Sequence, residues 1–502
     1  MSRTAFQAPG DAHATRWKAL VFIALAQLMV VLDATIVNIA LPSAQQDLGI
    51  SDGNRQWVVT AYALAFGGLL LFGGRVADLW GRKRAFVIGL IGFAAASVLG
   101  GVATTGATMF GARALQGAFG ALLAPAALSL LAVMFTDAKD RAKAFGIYGA
   151  IAGGGSAVGF ILGGVLTEYL DWRWTFFVNV PFAIVAAAGA YVVVREPESG
   201  HMRSPLDIPG VVLSTLGLVS LVYGFTSAES DGWDDTTTIS LFVASVVLLL
   251  AFVVTEAKVK APLLPFRVVT DRNRGGVYLS LGIAVIAMFG TFLFLTYYLQ
   301  VVKGYSPVKS GLSFLPMVAG MMIGSTQIGT RLATRVPARF LMGAGYMVAM
   351  TGMVVLAQME VGSSYVSTVL PALLLLGLGM GTTFTPAMSL PTQGIEPRDA
   401  GVASAMVNTS QQVGGAIGTA LLNTIAASAT TSYVKSHIAG TATKPQRQLI
   451  QLQGVVHGYT HAIWFAVGML VIATLIVLAL VDAGRAGSEG ADDEPAVPVV
   501  AH

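Results

Sequence analysis

The chain has 502 residues, of which 55% are hydrophobic and 11% charged, and its formal net charge is +4. Soluble domains carry roughly 25% charged residues, so this composition excludes an ordinary soluble protein and indicates a membrane protein. The sequence contains no cysteine, which excludes disulfides, thiolate metal sites and cysteine nucleophiles. The small net charge gives no support to a nucleic-acid partner.

Apolar runs follow one another along the whole chain and predict 14 transmembrane helices. Each run has about 20 residues or more, enough for a helix to cross roughly 30 Å of hydrocarbon. The fold class is therefore an all-α polytopic membrane protein. The runs extend over residues 17–42, 55–74, 84–102, 108–134, 144–168, 175–194, 208–227, 237–256, 274–299, 307–330, 338–357, 365–391, 401–427 and 459–482.

The basic residues predict the orientation. Most Lys and Arg residues fall in the N-terminal tail 1–16, in the loops after even-numbered runs and in the C-terminal tail. By the positive-inside rule both termini are cytoplasmic. The tail 483–502 is acidic and predicted to be disordered, whereas 428–458 is predicted to be a sizeable outer loop. Arginine outnumbers lysine, as in proteins from high-GC bacteria. The expected location is a bacterial cytoplasmic (inner) membrane.

The first run contains a carboxylate. Asp33 lies near its middle, in the string LDATIVNIALP (32–42). An ionised carboxylate at that depth costs several kcal/mol, roughly 2.5 to 3.5 on the mildest scale. It is therefore a candidate for binding a proton or pairing with a cationic substrate. The alternative is a structural hydrogen bond to a neighbouring helix.

The loop between the second and third runs, GGRVADLWGRKRAF (73–86), combines glycines with charges. Gly74 and Gly81 permit a tight turn. Asp78 stands among basic residues and can form a charge network with them that holds two helix ends together in one conformation. The alternative is a purely topological role for the positive charge. The predicted gating loop comprises Gly74, Asp78, Gly81, Arg82, Lys83 and Arg84.

The fourth run contains an arginine, Arg113. A guanidinium inside a span needs an internal partner or a water-filled cavity. The alternative is snorkelling from near the outer end of the helix. Further polar or polarisable residues within the runs could line a substrate cavity or simply join helices: Asn38, Tyr62, Gln116, Gln327, Met388 and Gln411.

The fifth run is rich in glycine. Gly155, Gly159 and Gly163 are spaced four apart on one helix face, where they let a partner helix approach closely. With their neighbours they form the predicted set of helix-packing glycines: Gly146, Gly155, Gly159, Gly163 and Gly164.

Together these motifs resemble the major facilitator superfamily. The pattern G-x-V-A-D-x-x-G-R-K-R is similar to its signature loop, and RALQGAFGA (113–121) resembles its buried-arginine motif. The glycines of the fifth run resemble its antiporter motif, in which Phe160 here replaces the proline. LDATIVNIALP and WRWTFFVNVP (172–181) resemble the fourteen-span branch of drug:proton antiporters.

The resemblance implies two six-helix bundles, 17–197 and 270–482, with an inserted helix pair at 206–257. It also implies export of amphipathic drugs or antibiotics in exchange for protons, by rocking of the bundles around a central cavity. Asp33 and Arg113 would belong to the coupling machinery. No cofactor or metal is expected, since the proton gradient drives transport. The expected partners are the lipid bilayer, protons and an amphipathic small molecule, with the protein working as a monomer.

Two other classes of protein fit less well. A nucleotide-driven pump would need a phosphate-binding loop, and no G-x-x-x-x-G-K-[ST] string occurs in the sequence. An intramembrane enzyme would need metal ligands or a nucleophile with a base, and no H-E-x-x-H string occurs, so the chain is not expected to be an enzyme. The open alternative is a proton-coupled transporter of an endogenous metabolite, lipid or siderophore on the same scaffold.

Overall fold

The computed structural model describes residues 9–135, 137–194, 207–259, 262–333, 335–393, 400–438 and 443–482. These residues contain 14 helices that are long and apolar enough to cross a membrane, which confirms the predicted fold class. We call them spans 1–14. Their helices are Pro9–Leu48, Trp57–Trp80, Arg82–Gly101, Gly106–Met134, Ala138–Tyr169, Asn179–Val193 after a short helix Trp174–Phe177, Ile208–Ser230, Thr236–Lys258, Arg272–Tyr297, Pro307–Ser313 with Leu315–Ile323, Ala338–Leu356, Leu370–Ser389, Ala400–His437 and Lys444–Leu480.

The helices form two groups of six with a pair between them. Spans 1–6 pack on one another through contacts such as span 2 with span 4 and span 1 with span 5. Spans 9–14 do the same through span 9 with span 13 and span 11 with span 12. Spans 7 and 8 pair together, and span 7 also contacts spans 2 and 13. The two bundles meet where span 2 contacts span 13 and where span 5 contacts span 10.

Because the chain crosses fourteen times, the loops alternate between two faces. We call the face that carries the N-terminal end of span 1 and the C-terminal end of span 14 the terminal face. The opposite face, which carries the loop between spans 1 and 2, is the distal face. Both names are used below without assigning either face to a cell compartment.

Span 5 packs against span 1 along its glycines. A Cβ at Gly159 would lie 1.8 Å from Thr35 Oγ1, and one at Gly163 would lie 3.0 Å from the Ile36 carbonyl oxygen. These contacts bring the two helix backbones close together. Gly164 instead lies against Val308 of span 10. Gly146 differs from the rest of the predicted packing set, because a Cβ there would meet open space.

Three predicted boundaries are corrected by the helices. Span 1 begins at Pro9, within the predicted tail 1–16, and spans 13 and 14 continue to His437 and from Lys444. The predicted outer loop 428–458 is therefore mostly helical. Hydropathy marks where a helix lies in lipid and not where its hydrogen bonds end, and Gln and Lys are good helix formers. The predicted acidic tail 483–502 lies outside the described residues.

The turn between spans 2 and 3 also differs from its prediction. Span 2 remains helical to Trp80, so Gly74 does not form a turn. The chain reverses at Gly81, whose φ of 98° is one that only glycine adopts without strain.

Candidate functional site: a buried ion pair

Asp33 and Arg113 form an ion pair inside the first bundle. Arg113 Nη1 lies 2.6 Å from Asp33 Oδ2, and the two side chains are 2% and 0% exposed. The predicted isolated carboxylate and isolated guanidinium are therefore each other's partner. Snorkelling of Arg113 towards the surface is excluded by this geometry.

The second carboxylate oxygen accepts two amide hydrogen bonds. Gln116 Nε2 and Asn179 Nδ2 each lie 2.9 Å from Asp33 Oδ1. Gln116 Nε2 also lies 2.7 Å from Ser97 Oγ. All of these side chains are buried. Spans 4 and 6 thus bind the carboxylate of span 1, both of whose oxygens are occupied, and Ser97 of span 3 binds the amides that hold it.

The guanidinium has partners besides Asp33. Its Nε donates to the Val58 carbonyl oxygen at 2.8 Å, and Nη1 also lies 2.8 Å from Gln116 Oε1. The ring of Tyr62 lies under the guanidinium carbon at 4.4 Å, in cation–π contact. Arg113 is consequently held by span 2 as well as by span 1.

Helical geometry explains which predicted residues meet. Arg113 and Gln116 are three apart, so they project from one face of span 4. Asn38 follows Asp33 by five residues, about 140° around the helix, and its amide donates to the Ala34 carbonyl of its own helix at 2.9 Å. Asn38 therefore does not join the network.

The remaining predicted cavity residues lie in the second bundle, away from the ion pair. Gln327 is exposed, with its amide 3.5 Å from the neighbouring Thr326 hydroxyl. Met388 and Gln411 are half-buried, and Met388 packs against the main hydrophobic core. Their role in binding a substrate stays a prediction.

Sequence reasoning missed two members of the network, Asn179 and Ser97. Asn179 carried a signal, since it is a buried amide directly before Val180-Pro181 in an otherwise apolar run. Ser97 carried none, because serine is common at helix contacts within membranes.

Contacts of Asp78 and Lys83 place the predicted gating loop against its neighbours. Asp78 pairs with Arg82 at 3.5 Å across the turn at Gly81, and both side chains are partly exposed. Lys83 donates to the Tyr191 carbonyl at the end of span 6 at 2.7 Å. Arg84 is exposed. The loop is thus tied to span 6 within its own bundle, and its role in gating stays a prediction.

The bundles are joined at the distal face around Arg55, which is 7% exposed. Its Nη2 lies 3.4 Å from the Tyr459 hydroxyl and 3.5 Å from Asn423 Oδ1, both in the second bundle. The guanidinium carbon lies 4.0 Å from the ring centre of Tyr297. Asn423 in turn donates to Gln56 of the first bundle. These contacts close the distal face between the bundles.

Phe160, which replaces the motif proline, strengthens the same closure. Span 5 runs without a break from Ala138 to Tyr169. The buried ring of Phe160 stacks on Phe314 at 4.9 Å and on Phe292 at 6.2 Å, both in the second bundle. The substitution therefore supplies an aromatic contact between the bundles.

Comparison with known proteins identifies the fold and its relatives. The sequence profile of the Major Facilitator Superfamily matches residues 23–419. The chain belongs to the major facilitator superfamily. Membership in this superfamily of transporters, with relatives named for export, makes the chain a transporter and not an enzyme.

The relatives of this superfamily member include antibiotic resistance and export proteins. The puromycin resistance protein pur8 of Streptomyces alboniger is 50% identical over 480 residues, covering 95% of this chain and 93% of that protein. The cephamycin export protein CmcT of Amycolatopsis lactamdurans is 39% identical and covers 83% and 86%. The tetracenomycin C resistance and export protein of Streptomyces glaucescens is 32% identical and covers 82% and 76%.

Solved structures of major facilitator proteins share the architecture. A bacterial homolog of the human lysosomal transporter Spinster, in an inward-facing and occupied conformation, aligns with a TM-score of 0.67 at 16% identity. The alignment covers 94% of this chain and 97% of that one. At this identity the likeness shows the fold alone.

Proposed function

We propose that this protein exports amphipathic drugs or antibiotics across the bacterial cytoplasmic membrane in exchange for protons, by alternating access. The names of its relatives support export of an antibiotic. The terminal face, with most of the basic residues, faces the cytoplasm in this proposal. The distal face then faces outward, and the contacts around Arg55 close the outer side.

The buried carboxylate of Asp33 carries the proposal. It is 0% exposed, and the proposed exchange for protons requires a group that can bind and release a proton. A buried carboxylate that is paired on one side can change its charge without disturbing the surface of the protein. In the alternative, a purely structural role, Asp33 would serve only as the fixed partner of Arg113.

The surroundings of Arg113 fit such a change of charge. When Asp33 takes up a proton, the guanidinium loses its counter-charge, and leaving a buried charge unpaired costs several kcal/mol. Here Arg113 keeps the Val58 carbonyl, the Gln116 side chain and the face of Tyr62. Arg113 therefore keeps several partners when Asp33 is neutral.

Access to Asp33 has to change during transport. In this structure the carboxylate is covered, and the distal face is closed by contacts between the bundles. Separation of the bundles at that face would open the outer side to substrate release and proton entry. Rocking of the two bundles provides this movement without breaking the helices themselves.

The test uses purified protein in proteoliposomes with a pH-sensitive dye inside. Puromycin is the first substrate to try, because of the 50% identical relative, followed by a cephamycin. We expect a substrate gradient to drive proton movement in the wild type and not in Asp33→Asn. The control is Asp47→Asn, which removes a partly exposed acid from the distal end of the same helix.

Two results would overturn the proposal. Substrate-driven proton movement at the wild-type rate in a folded Asp33→Asn protein would remove Asp33 from coupling. If the wild type transported puromycin and the other antibiotics without a proton gradient, the protein would not be a proton antiporter.

A further inference from the structure

Two carboxylates meet at the terminal end of the inserted helix pair, far along the chain from Asp33. Asp207 precedes span 7 and Glu256 lies in the last turn of span 8; each is 3% exposed. One oxygen of each is occupied by a backbone amide. Asp207 Oδ1 accepts from Gly210 N at 3.0 Å, and Glu256 Oε2 accepts from Leu264 N at 3.0 Å.

The other oxygen of each carboxylate is buried and, among the described residues, has no hydrogen-bond donor. Both oxygens point to the same place. A Cβ at Gly210 would lie 2.5 Å from Asp207 Oδ2 and 2.7 Å from Glu256 Oε1, so the two oxygens flank the same point and lie no more than about 5 Å apart. Glycine at position 210 leaves room for this approach.

Two ionised carboxylates in that position would both lack a donor and would repel each other. The buried oxygens become satisfied if one carboxyl carries a proton and donates it to the other. Pairs of this kind hold one proton between them because the second ionisation is opposed by the first. A bridging proton removes both the repulsion and the unsatisfied acceptors.

None of the charged side chains described on the surrounding elements donates to the two free oxygens. Arg75 of span 2 donates to the Pro262 carbonyl at 3.2 Å. Lys258, at the end of span 8, and Arg267, in the short helix after it, are exposed.

We propose that Asp207 and Glu256 share one proton and form a second proton-binding site, separate from Asp33, that holds the connection between spans 8 and 9. The connection is held from two sides. Glu256 binds the Leu264 amide from the inserted pair, and Arg75 binds the Pro262 carbonyl from the first bundle. The shared proton keeps Glu256 in place against Asp207, which caps span 7.

The site responds to the pH at the terminal face. In this proposal the pair keeps its shared proton because releasing it would leave two adjacent buried charges. Its stabilising effect is therefore present at low pH and is lost as the pH rises through the titration of the pair. Loss of the proton leaves two adjacent buried charges, so the connection loosens on the alkaline side.

Infrared difference spectroscopy of the full chain in lipid nanodiscs tests the site directly. We expect the wild type to show a carboxylic acid C=O band that disappears as the pH rises. Asp207→Asn and Glu256→Gln should each lose that band, because the amide donates the bridging hydrogen and the remaining carboxyl stays ionised. Any band from Asp33 remains in both variants, so the two sites are distinguished.

Hydrogen exchange of the Leu264 amide, corrected for the intrinsic pH dependence of exchange, provides the second readout. In the wild type its protection should fall as the pH rises, and in Glu256→Gln protection should be retained at every pH. Asp235→Asn is the control: this acid caps span 8 at the distal end, and hydrogen bonds from Thr237 hold the pKa of Asp235 below its usual range. It should alter neither readout.

Two outcomes would overturn the proposal. The first is the absence of any titrating carboxylic acid band that the wild type shows and both amide substitutions remove. The second is protection of the Leu264 amide that follows sodium concentration at constant pH, which would make the pair a cation site. Neither outcome depends on whether Asp33 couples transport to protons.

Discussion

Arg113 and Asp33, eighty positions apart in the chain, form a fully buried ion pair of 2.6 Å. In the sequence each is a separate anomaly, a charge within an apolar run. In the structure each removes the cost of burying the other, and Gln116 and Asn179 complete the carboxylate's hydrogen bonds. The pair is therefore one feature of the first bundle, and its two members should respond to mutation as a unit.

The first prediction concerns that coupling. Arg113→Met leaves the Asp33 carboxylate buried without its counter-charge, which should lower the free energy of unfolding by roughly 3–5 kcal/mol. The double variant Asp33→Asn/Arg113→Met removes both charges and should be more stable than Arg113→Met alone. Denaturant unfolding of the purified proteins in mild detergent measures the cycle. Additive effects of the two substitutions would contradict the pairing.

Much of the fold could be predicted from the sequence because the bilayer imposes it. In lipid, a single apolar segment can pair all of its backbone N–H and C=O groups only by forming a helix. The length of each apolar run and the charges that flank it therefore predict the number of spans. Outside the lipid that constraint ends. The helical extensions to His437 and from Lys444 were missed for this reason, since polar residues there are compatible with either a loop or a helix.

The candidate site could be predicted in part. Asp33 and Arg113 stand out because isolated charges in lipid are costly. Their pairing could not be derived from spacing, because it depends on how spans 1 and 4 cross. Burying an uncharged polar side chain such as Ser97 in a helix contact costs little free energy. Such residues are therefore common in ordinary helix packing, and the sequence does not show which of them belong to the network.

The second prediction concerns closure of the distal face. Arg55→Gln removes the cation–π contact with Tyr297 and the charged hydrogen bond to Tyr459. The distal ends of the bundles should then separate more often. Spin labels at Ser51 and Ser364, both exposed in distal loops, should report a larger population of long distances than in the parent protein.

Arg335→Gln is the matched control for this experiment, because it removes an exposed arginine at the terminal face. It should leave the distances between the distal labels unchanged. An unchanged distribution in Arg55→Gln would show that the aromatic contacts of Phe160 suffice to close the distal face.

The third prediction compares two glycines of span 5. At Gly159 an added Cβ would collide with Thr35 of span 1, whereas at Gly146 it would meet open space. Gly159→Ala should therefore lower the thermal midpoint and slow transport, because span 1 carries Asp33 and must shift away from span 5. Gly146→Ala should match the wild type or gain slightly in stability, since alanine is the better helix former. Equal effects of the two substitutions would show that close packing of spans 1 and 5 is unimportant.

The last prediction concerns the charge of the substrate. The negative charge of Asp33 is already balanced by Arg113, so the site offers no free carboxylate to a dication. An uncompensated charge in a low-dielectric cavity costs several kcal/mol. Export should therefore weaken as the charge of the amphipathic compound rises from neutral through monovalent to divalent. Resistance assays with matched monovalent and divalent biocides, in a host that lacks its own pumps, measure the difference.

Equal protection would mean that another acid reaches the substrate. Glu168, whose carboxylate binds the Val308 amide at the distal face, is the first to replace, because Glu168→Gln would then abolish protection against the divalent compound alone.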